Sequence, residues 1–187
     1  YAVAATKGLQ GDQPTNGKWD YFNESKVIAL AKHYLAYGAA EGGLNGAPAE
    51  LSERTVREWY LAPWRAFAKA GGKGVMTSHN TVLNQPMHAN DYLTNGVLRG
   101  ELSFGDGIIL SDCNDIPALV DFRVAANKSH AAAKGIIGGV DLDLQCGTNS
   151  AYTALETALK DGSVQLSKVK QAARRVLMSK FAMGLFD

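Results

Sequence analysis

The sequence contains no apolar segment as long as the ~20 residues of a membrane-spanning helix, and no recognisable signal peptide. It also lacks an excess of charge of either sign: 19 lysine and arginine residues against 18 aspartate and glutamate residues give a net charge of +1. This balance does not favour binding to nucleic acid or to an anionic membrane surface. A hydrophobic share of 46% and a charged share of 20% are typical of a globular domain. The sequence therefore predicts a globular chain with no nucleic-acid or membrane partner.

Cysteine is scarce, with only Cys113 and Cys146 in 187 residues. Neither belongs to a Cys-x-x-Cys pair or to a Cys/His spacing typical of zinc sites, so we expect no bound metal and no cofactor. Each cysteine follows a predicted strand, which places the two near one another. Disulfide geometry is strict and sequence does not supply it, so we expect two half-buried free thiols, with a disulfide as the alternative.

Four short apolar segments have the length and composition of buried strands and end in polar side chains. They are residues 27–31 before Lys32-His33, residues 74–77 before Ser78-His79, residues 107–110 before Ser111-Asp112, and a run from Val140 that carries Asp141 and Asp143. The intervals are 46 residues from His33 to His79, 33 from His79 to Asp112 and 29 from Asp112 to Asp141. Each interval accommodates one helical crossover between parallel strands.

Helical periodicity fills the intervals between these strands. Residues 52–70 carry an apolar stripe that includes Trp59 and Trp64, with Ser52 as the N-cap and Gly71-Gly72 as the stop. Further helices are predicted over residues 90–98, over residues 151–159, and before Gly184, where one face consists of Val169, Ala173, Val176, Leu177 and Phe181. Alternating strands and helices with polar strand ends are typical of a (β/α) barrel, whose chemistry lies at the carboxyl ends of its strands.

Only part of a barrel fits into this sequence, because eight strands with their helices take roughly 200 residues at least. The fold predicted for residues 1–187 is α/β, the C-terminal half of a TIM-type (β/α) barrel, as a partial catalytic domain of a larger multidomain chain. We expect the N-terminal strands and later domains to lie outside this sequence. The remainder of the same enzyme, or another chain, would then cover the open barrel edges.

Several short motifs occur in a specific order from about Val27 onwards. They are Lys32-His33-Tyr34, Glu41-Gly42-Gly43, Leu61-Ala62-Pro63-Trp64, Val75-Met76-Thr77-Ser78-His79-Asn80, Gln85-Pro86, Ser111-Asp112-Cys113, Asp141-Leu142-Asp143 and Gly184-Leu185-Phe186-Asp187. Each motif is weak by itself, but the ordered set resembles the central part of glycoside hydrolase family 3.

The resemblance implies a function and roles for individual residues. Members of that family are retaining, exo-acting β-glycosidases, and the position of their nucleophile is that of Asp112. Lys32 and His33 would bind hydroxyls of the sugar nearest the cleaved bond, and Met76 and His79 would border the same pocket. Most members have Tyr where this chain has His79. The acid/base residue would come from a later domain or loop, outside this sequence.

The resemblance also implies a substrate class, a β-linked oligosaccharide or glycoside. Residues 38–43 replace the His-containing acid/base loop of members that cleave N-acetylglucosamine, which argues against that activity. Cys113 is similar to the Ser-Asp-Cys of xylosidase-like members, whereas Glu41-Gly42-Gly43-Leu44-Asn45 resembles β-glucosidases. We expect release of glucose from the non-reducing end of β-glucosides by a secreted or periplasmic protein, with β-xylosidase activity as the alternative.

The residues themselves leave other interpretations open. Asp112 alone fits a cap for the following loop as well as a nucleophile, and His79 fits a packing residue. A lysine at a strand end also suits an aldolase-like enzyme that forms a Schiff base on Lys32, with no role for Asp112. A non-catalytic sugar-binding or structural fragment is a further alternative.

Other polar and aromatic residues are predicted to have structural roles. Asp141 and Asp143 would bind neighbouring backbone or basic groups, and Trp59 and Trp64 would belong to the core. The carboxylates expected in loops or on solvated helix faces are Glu41, Glu53 and Glu58.

Overall fold

A three-stranded parallel sheet forms the centre of the computed structural model, which describes residues 1–12, 25–147 and 149–187. Its strands, in the spatial order β1, β2, β5, are Leu30–Tyr34, Gly74–Thr77 and Ile108–Leu110. They correspond to the first three predicted strands, but β1 lies three residues later than predicted, so that Lys32 and His33 belong to the strand and do not follow it. Because all three are parallel, their carboxyl ends lie at the same edge of the sheet.

The fourth predicted strand is present only as a single parallel bridge between Leu110 and Leu142. The backbone N–H of Asp141 donates to the carbonyl of Ile109 at 2.7 Å, so this segment still continues the sheet. The N–H of Ile109, however, donates to the carboxylate of Asp141 at 2.9 Å and not to a backbone carbonyl. The strand predicted from Val140 is therefore correct in position but too long, because a side chain replaces part of its ladder.

Helices occupy every interval in which the sequence predicts one. The α-helices in the described residues are α1 Ala2–Gln10, α2 Glu53–Thr55, α3 Ala62–Lys69, α4 Asp115–Asp121, α5 Lys128–Ile137, α6 Leu155–Lys160 and α7 Leu166–Ala182. Two π-helical segments lie at Val56–Tyr60 and Tyr92–Glu101, with 3-10 turns at Tyr37–Ala39, Glu41–Gly43, Met87–Ala89 and Ala151–Ala154. A short hairpin joins β3, Thr81–Val82, to β4, Gln85–Pro86. Within the described ranges, none of these helices combines the length and apolar character needed to cross a membrane.

The helix predicted over residues 52–70 forms, but as three segments. Ser52 caps its start by accepting the N–H of Thr55 at 3.1 Å, as predicted. The π-helical turn then places more residues in each turn than an α-helix does, which rotates the side chains relative to a regular 3.6-residue period. Trp64 is buried, but Trp59 is 74% exposed, so the prediction that Trp59 belongs to the core is wrong.

A buried ion cluster ties the sheet to two helices. The carboxylate of Asp141 accepts from Arg99 Nη2 at 2.6 Å and from Arg175 Nη1 at 3.0 Å. Arg99 also donates to the carbonyls of Gly105 and Gly107, at 2.8 and 2.7 Å. Burial raises the pKa of Asp141 above its ordinary value and lowers that of Arg99, so each charge relies on its partner. Asp141 thus has the structural role that the sequence predicts.

Asp143 binds the chain at the start of the 3-10 turn Ala151–Ala154. One carboxylate oxygen of Asp143 accepts from the Ser150 hydroxyl at 2.8 Å and from the N–H of Ala151 at 2.6 Å, again a structural role.

On α7 the buried residues are Ala172, Arg175 and Ser179. The predicted apolar face is largely turned to solvent, with Ala173, Leu177 and Phe181 exposed, because the helix must present Arg175 to the sheet.

Cys113 and Cys146 form a disulfide, with their Cα atoms 5.4 Å apart. The expectation of two free thiols is therefore wrong. The parallel bridge between Leu110 and Leu142 brings the two following loops side by side, and the Cα separation falls within the range that a disulfide spans.

The disulfide should contribute measurably to stability. Its partners are 33 residues apart, and closing a loop of this length stabilises the folded state by about 3 to 4 kcal/mol through the unfolded chain. We expect the double variant Cys113→Ser, Cys146→Ser to lose free energy of unfolding of this order, measured by denaturant unfolding of the full-length protein. Reductant should shift the wild-type midpoint and leave the variant unchanged; equal midpoints for the two oxidised proteins would contradict the contribution.

Candidate active site

The polar strand ends converge on Asp112. Its Oδ2 atom lies 3.1 Å from Nε2 of His33, at the end of β1, and 3.1 Å from Nε2 of His79, which follows β2. Its Oδ1 atom accepts the backbone N–H of Cys113 at 2.7 Å. The side chains of Asp112 and the two histidines are 15% to 20% exposed, so the cluster is largely shielded from solvent. Three chain segments that are distant in sequence therefore form one polar site.

The motif Ser78-His79-Asn80 explains how β1 and β2 are aligned at this edge. The Ser78 hydroxyl accepts the N–H of Leu35 at 2.9 Å, and the Asn80 amide donates to the Leu35 carbonyl at 3.3 Å. These bonds fix the chain just after His33 against the chain on either side of His79. The flanking polar residues hold the backbone, and His79 between them projects into the site.

Neither Lys32 nor Met76 forms an ion pair or hydrogen bond with Asp112 among the described contacts, and the two lie in different surroundings. Lys32 is exposed and lines an open cavity of about 320 Å³ together with His33, Tyr37 and Trp59. The ring of Tyr37 lies 4.7 Å from that of His33. Among the described residues no ion pair joins Lys32 to Asp112, and Asp112 does not line this cavity. Met76 is buried in β2 opposite Leu110 and is not one of the residues that line this cavity in the described chain.

Behind His79 lies a second layer of polar side chains that the sequence reasoning missed. Asp115 Oδ1 is 2.6 Å from His79 Nδ1, and Asp115 Oδ2 is 3.3 Å from His88 Nδ1. His88 is fully buried, and its Nδ1 also lies 3.3 Å from the Thr77 hydroxyl. Asp115 begins α4, three residues after Asp112. Two aspartates this close to a strand end were the feature of the sequence that could have indicated a second carboxylate near the site.

Burial sets the protonation of this layer. Complete burial lowers the pKa of His88 to about 3, so its imidazole is neutral. Burial raises the pKa of Asp115 to about 6, although the hydrogen bond from His79 acts in the opposite direction. Burial also lowers the pKa of His33, and the negative charge of Asp112 only partly offsets this. Within the described part of the chain, no group of three or more His, Cys, Asp and Glu side chains is arranged to hold a metal ion.

The neutral, buried His88 makes stability dependent on pH. In the unfolded chain this histidine takes up a proton below about pH 6.5, whereas the folded protein excludes the proton until about pH 3. The folded state therefore loses about 1.4 kcal/mol per pH unit below 6.5 from this group. Replacing His88 by Gln removes that loss. The free energy of unfolding of the variant, relative to wild type, should rise by about 2 kcal/mol between pH 7 and pH 5. Denaturant unfolding at both pH values tests this, and an unchanged difference would contradict it.

With this geometry in view, comparison with known proteins assigns the chain to a family. The family profile described as "Glycosyl hydrolase family 3 N terminal domain" matches residues 1–179. The chain belongs to glycosyl hydrolase family 3. The resemblance seen in the ordered motifs is thus confirmed.

Curated relatives in family 3 carry two kinds of name. The chain is 40% identical over 192 residues to a protein from Formosa agariphila named beta-xylosidase, covering 99% of this chain and 26% of the relative. It is 32% identical over 181 residues to the periplasmic beta-glucosidase of Salmonella typhimurium, covering 97% of this chain and 22% of the relative. The chain thus spans about a quarter of the length of the curated relatives that it matches.

Solved structures of family 3 β-glucosidases match the fold closely. A β-glucosidase from Erythrobacter marinus aligns with a TM-score of 0.89 and 33% identity, over 100% of this chain and 24% of its own. The β-glucosidase of Listeria innocua, solved in complex with glucose, aligns with a TM-score of 0.88 and 33% identity, over 98% of this chain and 24% of its own. The predicted fold, an α/β chain that forms part of a TIM-type barrel, is confirmed.

Proposed function

We propose that this chain carries the nucleophile side of the active site of a retaining, exo-acting β-glycosidase, with Asp112 as the nucleophile. The observation that carries the proposal is the contact of Asp112 Oδ2 with His33 and His79, each at 3.1 Å, at the end of β5. Together with the N–H of Cys113 on Oδ1, these groups face both carboxylate oxygens. They orient Asp112 as an acceptor, the form in which a carboxylate attacks a sugar.

The proposed reaction has two steps. In the first, a carboxylate oxygen of Asp112 attacks the anomeric carbon, the bond to the aglycone breaks, and the departing oxygen takes a proton from a general acid. In the second, water attacks the same carbon and gives a proton to that group, now a base. The bond to Asp112 then breaks, and its electron pair returns to the carboxylate. Two inversions at one carbon retain the β configuration.

The general acid is proposed to lie outside these residues. In a retaining glycosidase its carboxyl group must be about 5 to 5.5 Å from the nucleophile. Glu53 and Glu58 are bound at the surface to Arg57 and Arg54, at 2.8 Å each. We therefore propose that residues 1–187 form a partial domain of a longer polypeptide, whose remainder supplies the acid and covers the edge of β1 that no described strand pairs with.

Lys32 and His33 are proposed to bind hydroxyls of the sugar next to the cleaved bond. Both line one cavity, and Lys32 brings a cation with three donors. The Nε2 atom of His33 faces Asp112, so its Nδ1 atom is the one left to bind a hydroxyl. Met76 and His79 are proposed to border the same pocket. The partner is then a β-linked oligosaccharide or glycoside. A disulfide favours an oxidising compartment, which supports secretion or a periplasmic location.

Glucose is proposed as the sugar released from the non-reducing end. The structural relatives at 33% identity are named β-glucosidases, and residues 41–45 resemble that group. Xylose is the second candidate, because a relative at 40% identity is named beta-xylosidase and Cys113 follows the nucleophile as in xylosidase-like members.

The substrate and the stereochemistry can be tested together on the full-length protein. We expect hydrolysis of 4-nitrophenyl β-glucoside with β-glucose as the first product seen by proton NMR, before mutarotation. We also expect a higher kcat/KM for the β-glucoside than for the β-xyloside. A higher kcat/KM for the β-xyloside would mean that xylose, and not glucose, is the sugar that the protein releases. α-Glucose as the first product would contradict the retaining mechanism, and trapping of a carbonyl substrate on Lys32 by borohydride would support the aldolase alternative.

A further inference from the structure

His79 bridges two carboxylates, and this arrangement fixes how many protons the bridge holds. Its Nε2 faces Asp112 at 3.1 Å and its Nδ1 faces Asp115 at 2.6 Å. Each contact needs one proton, because an imidazole lone pair and a carboxylate repel each other. Asp112 must be unprotonated to act as a nucleophile, so the proton of the first contact resides on Nε2. A second proton is then shared between Nδ1 and Asp115.

Asp115 can share that proton with His79 only. The other imidazole within ion-pair distance, His88, is held neutral by complete burial. In the described part of the chain, no lysine or arginine forms an ion pair with Asp115. The Asp115 side chain is only 8% exposed. A carboxylate 2.6 Å from an imidazole nitrogen favours the doubly protonated form of that ring.

We propose, on the basis of the function proposed above, that Asp115 is a positioning residue that keeps His79 as a cationic N–H donor to the nucleophile Asp112. Asp115 would supply the countercharge that makes a cation at this half-buried position possible. His88, which is neutral, would pack against Asp115 on the side away from His79 without adding a charge.

A cationic donor to Asp112 matters mainly in the second of the two reaction steps. In the first step Asp112 loses its negative charge to the new bond with the sugar, so a donor that stabilises the free carboxylate does not accelerate this step. In the second step the carboxylate recovers its charge as the bond to the sugar breaks, and the donor stabilises it. Removing the donor should therefore slow release of the sugar from Asp112 and leave its attachment almost unchanged.

The variant Asp115→Asn tests this in the full-length protein, because it keeps the shape of the side chain and removes the charge and the shared proton. With a dinitrophenyl β-glucoside, whose good leaving group makes the second step limiting, kcat should fall by about 10- to 100-fold, the usual effect of removing a group that orients a functional histidine. The kcat/KM value, which reports the first step, should stay within about threefold of wild type. After inactivation by a 2-deoxy-2-fluoro glucoside, reactivation should slow by the same factor as kcat.

The matched control is Asp121→Asn. Asp121 is an exposed carboxylate at the other end of α4, and its replacement should leave kcat and kcat/KM unchanged.

A double-mutant cycle separates a role through His79 from a general structural role. In a His79→Gln background, where a neutral amide faces Asp112, Asp115→Asn should have no further effect on kcat. An equal loss of kcat in both backgrounds, or an equal loss of kcat and kcat/KM, would overturn the proposal.

Two further outcomes remain distinguishable. If Asp115→Asn does not fold cooperatively, His79→Gln alone should show the same selective loss of kcat, and a proportional loss of kcat/KM would overturn the proposal. If the fluoro sugar labels Asp112 but reactivates equally fast in wild type and Asp115→Asn, the positioning role fails and the proposed function stands. Labelling of another carboxylate overturns both.

Discussion

Replacing Asp112 by asparagine in the full-length protein should lower kcat for an aryl β-glucoside by roughly 10⁴- to 10⁶-fold, as when a covalent nucleophile or its activating partner is removed from other enzymes. The amide cannot form the bond to the anomeric carbon, while its shape still fits between His33 and His79. Binding of glucose should therefore change little. Steady-state kinetics and isothermal titration with glucose measure the two quantities.

Two controls make this result specific. Asp121→Asn changes the same functional group outside the site and should leave kcat unchanged. For Asp112→Gly, azide can enter the space left by the side chain and attack the anomeric carbon, so a substrate with a good leaving group should give the α-glucosyl azide. A loss of kcat below about tenfold in Asp112→Asn would mean that another group is the nucleophile.

The second large effect is expected at the buried ion cluster. Asp141→Asn should lower the free energy of unfolding by about 3 to 5 kcal/mol, because it leaves the guanidinium groups of Arg99 and Arg175 buried without a countercharge. The asparagine can still accept the N–H of Ile109, so the loss reports the charge and not the backbone contact. Denaturant unfolding measures the total, and hydrogen exchange of the peptide that contains Ile109 shows whether β5 is the part affected.

Asp106 offers a matched control for Asp141. It pairs with Arg174 and Arg175 at 3.0 and 3.8 Å, but its side chain is 40% exposed. Exposed ion pairs contribute about 0 to 1 kcal/mol, so Asp106→Asn should have a small effect. Similar losses for the two variants would contradict the special role of the buried carboxylate.

The positions of the strands, and the meeting of their polar ends, were predictable from the sequence. Apolar runs that end in Lys32-His33, Ser78-His79 and Asp112 gave the three strands of the sheet, and the parallel topology brought His33, His79 and Asp112 to one edge. Their clustering is a consequence of strand direction, which hydrophobic pattern and spacing determine together.

Features that depend on distances between segments were not predictable in the same way. The disulfide needs the two cysteines to approach within a few ångströms, and only the short bridge at Leu142 brings this about. The exposure of Trp59 follows from a local π-helical turn that has no simple sequence signal. Asp115 and His88 are separated by 27 residues and meet only because α4 and the turn after β4 pack against the same side of His79.

The most direct test of the account is to identify the residue that becomes covalently attached to the sugar. The full-length protein is incubated with a 2-deoxy-2-fluoro glucoside that carries a good leaving group, digested, and sequenced by tandem mass spectrometry. We predict one equivalent of fluoroglucose on the peptide Gly107 to Asn114, with the added mass on Asp112 and none in the Asp112→Asn variant. Attachment to any other carboxylate, or turnover without a covalent intermediate, would contradict the account.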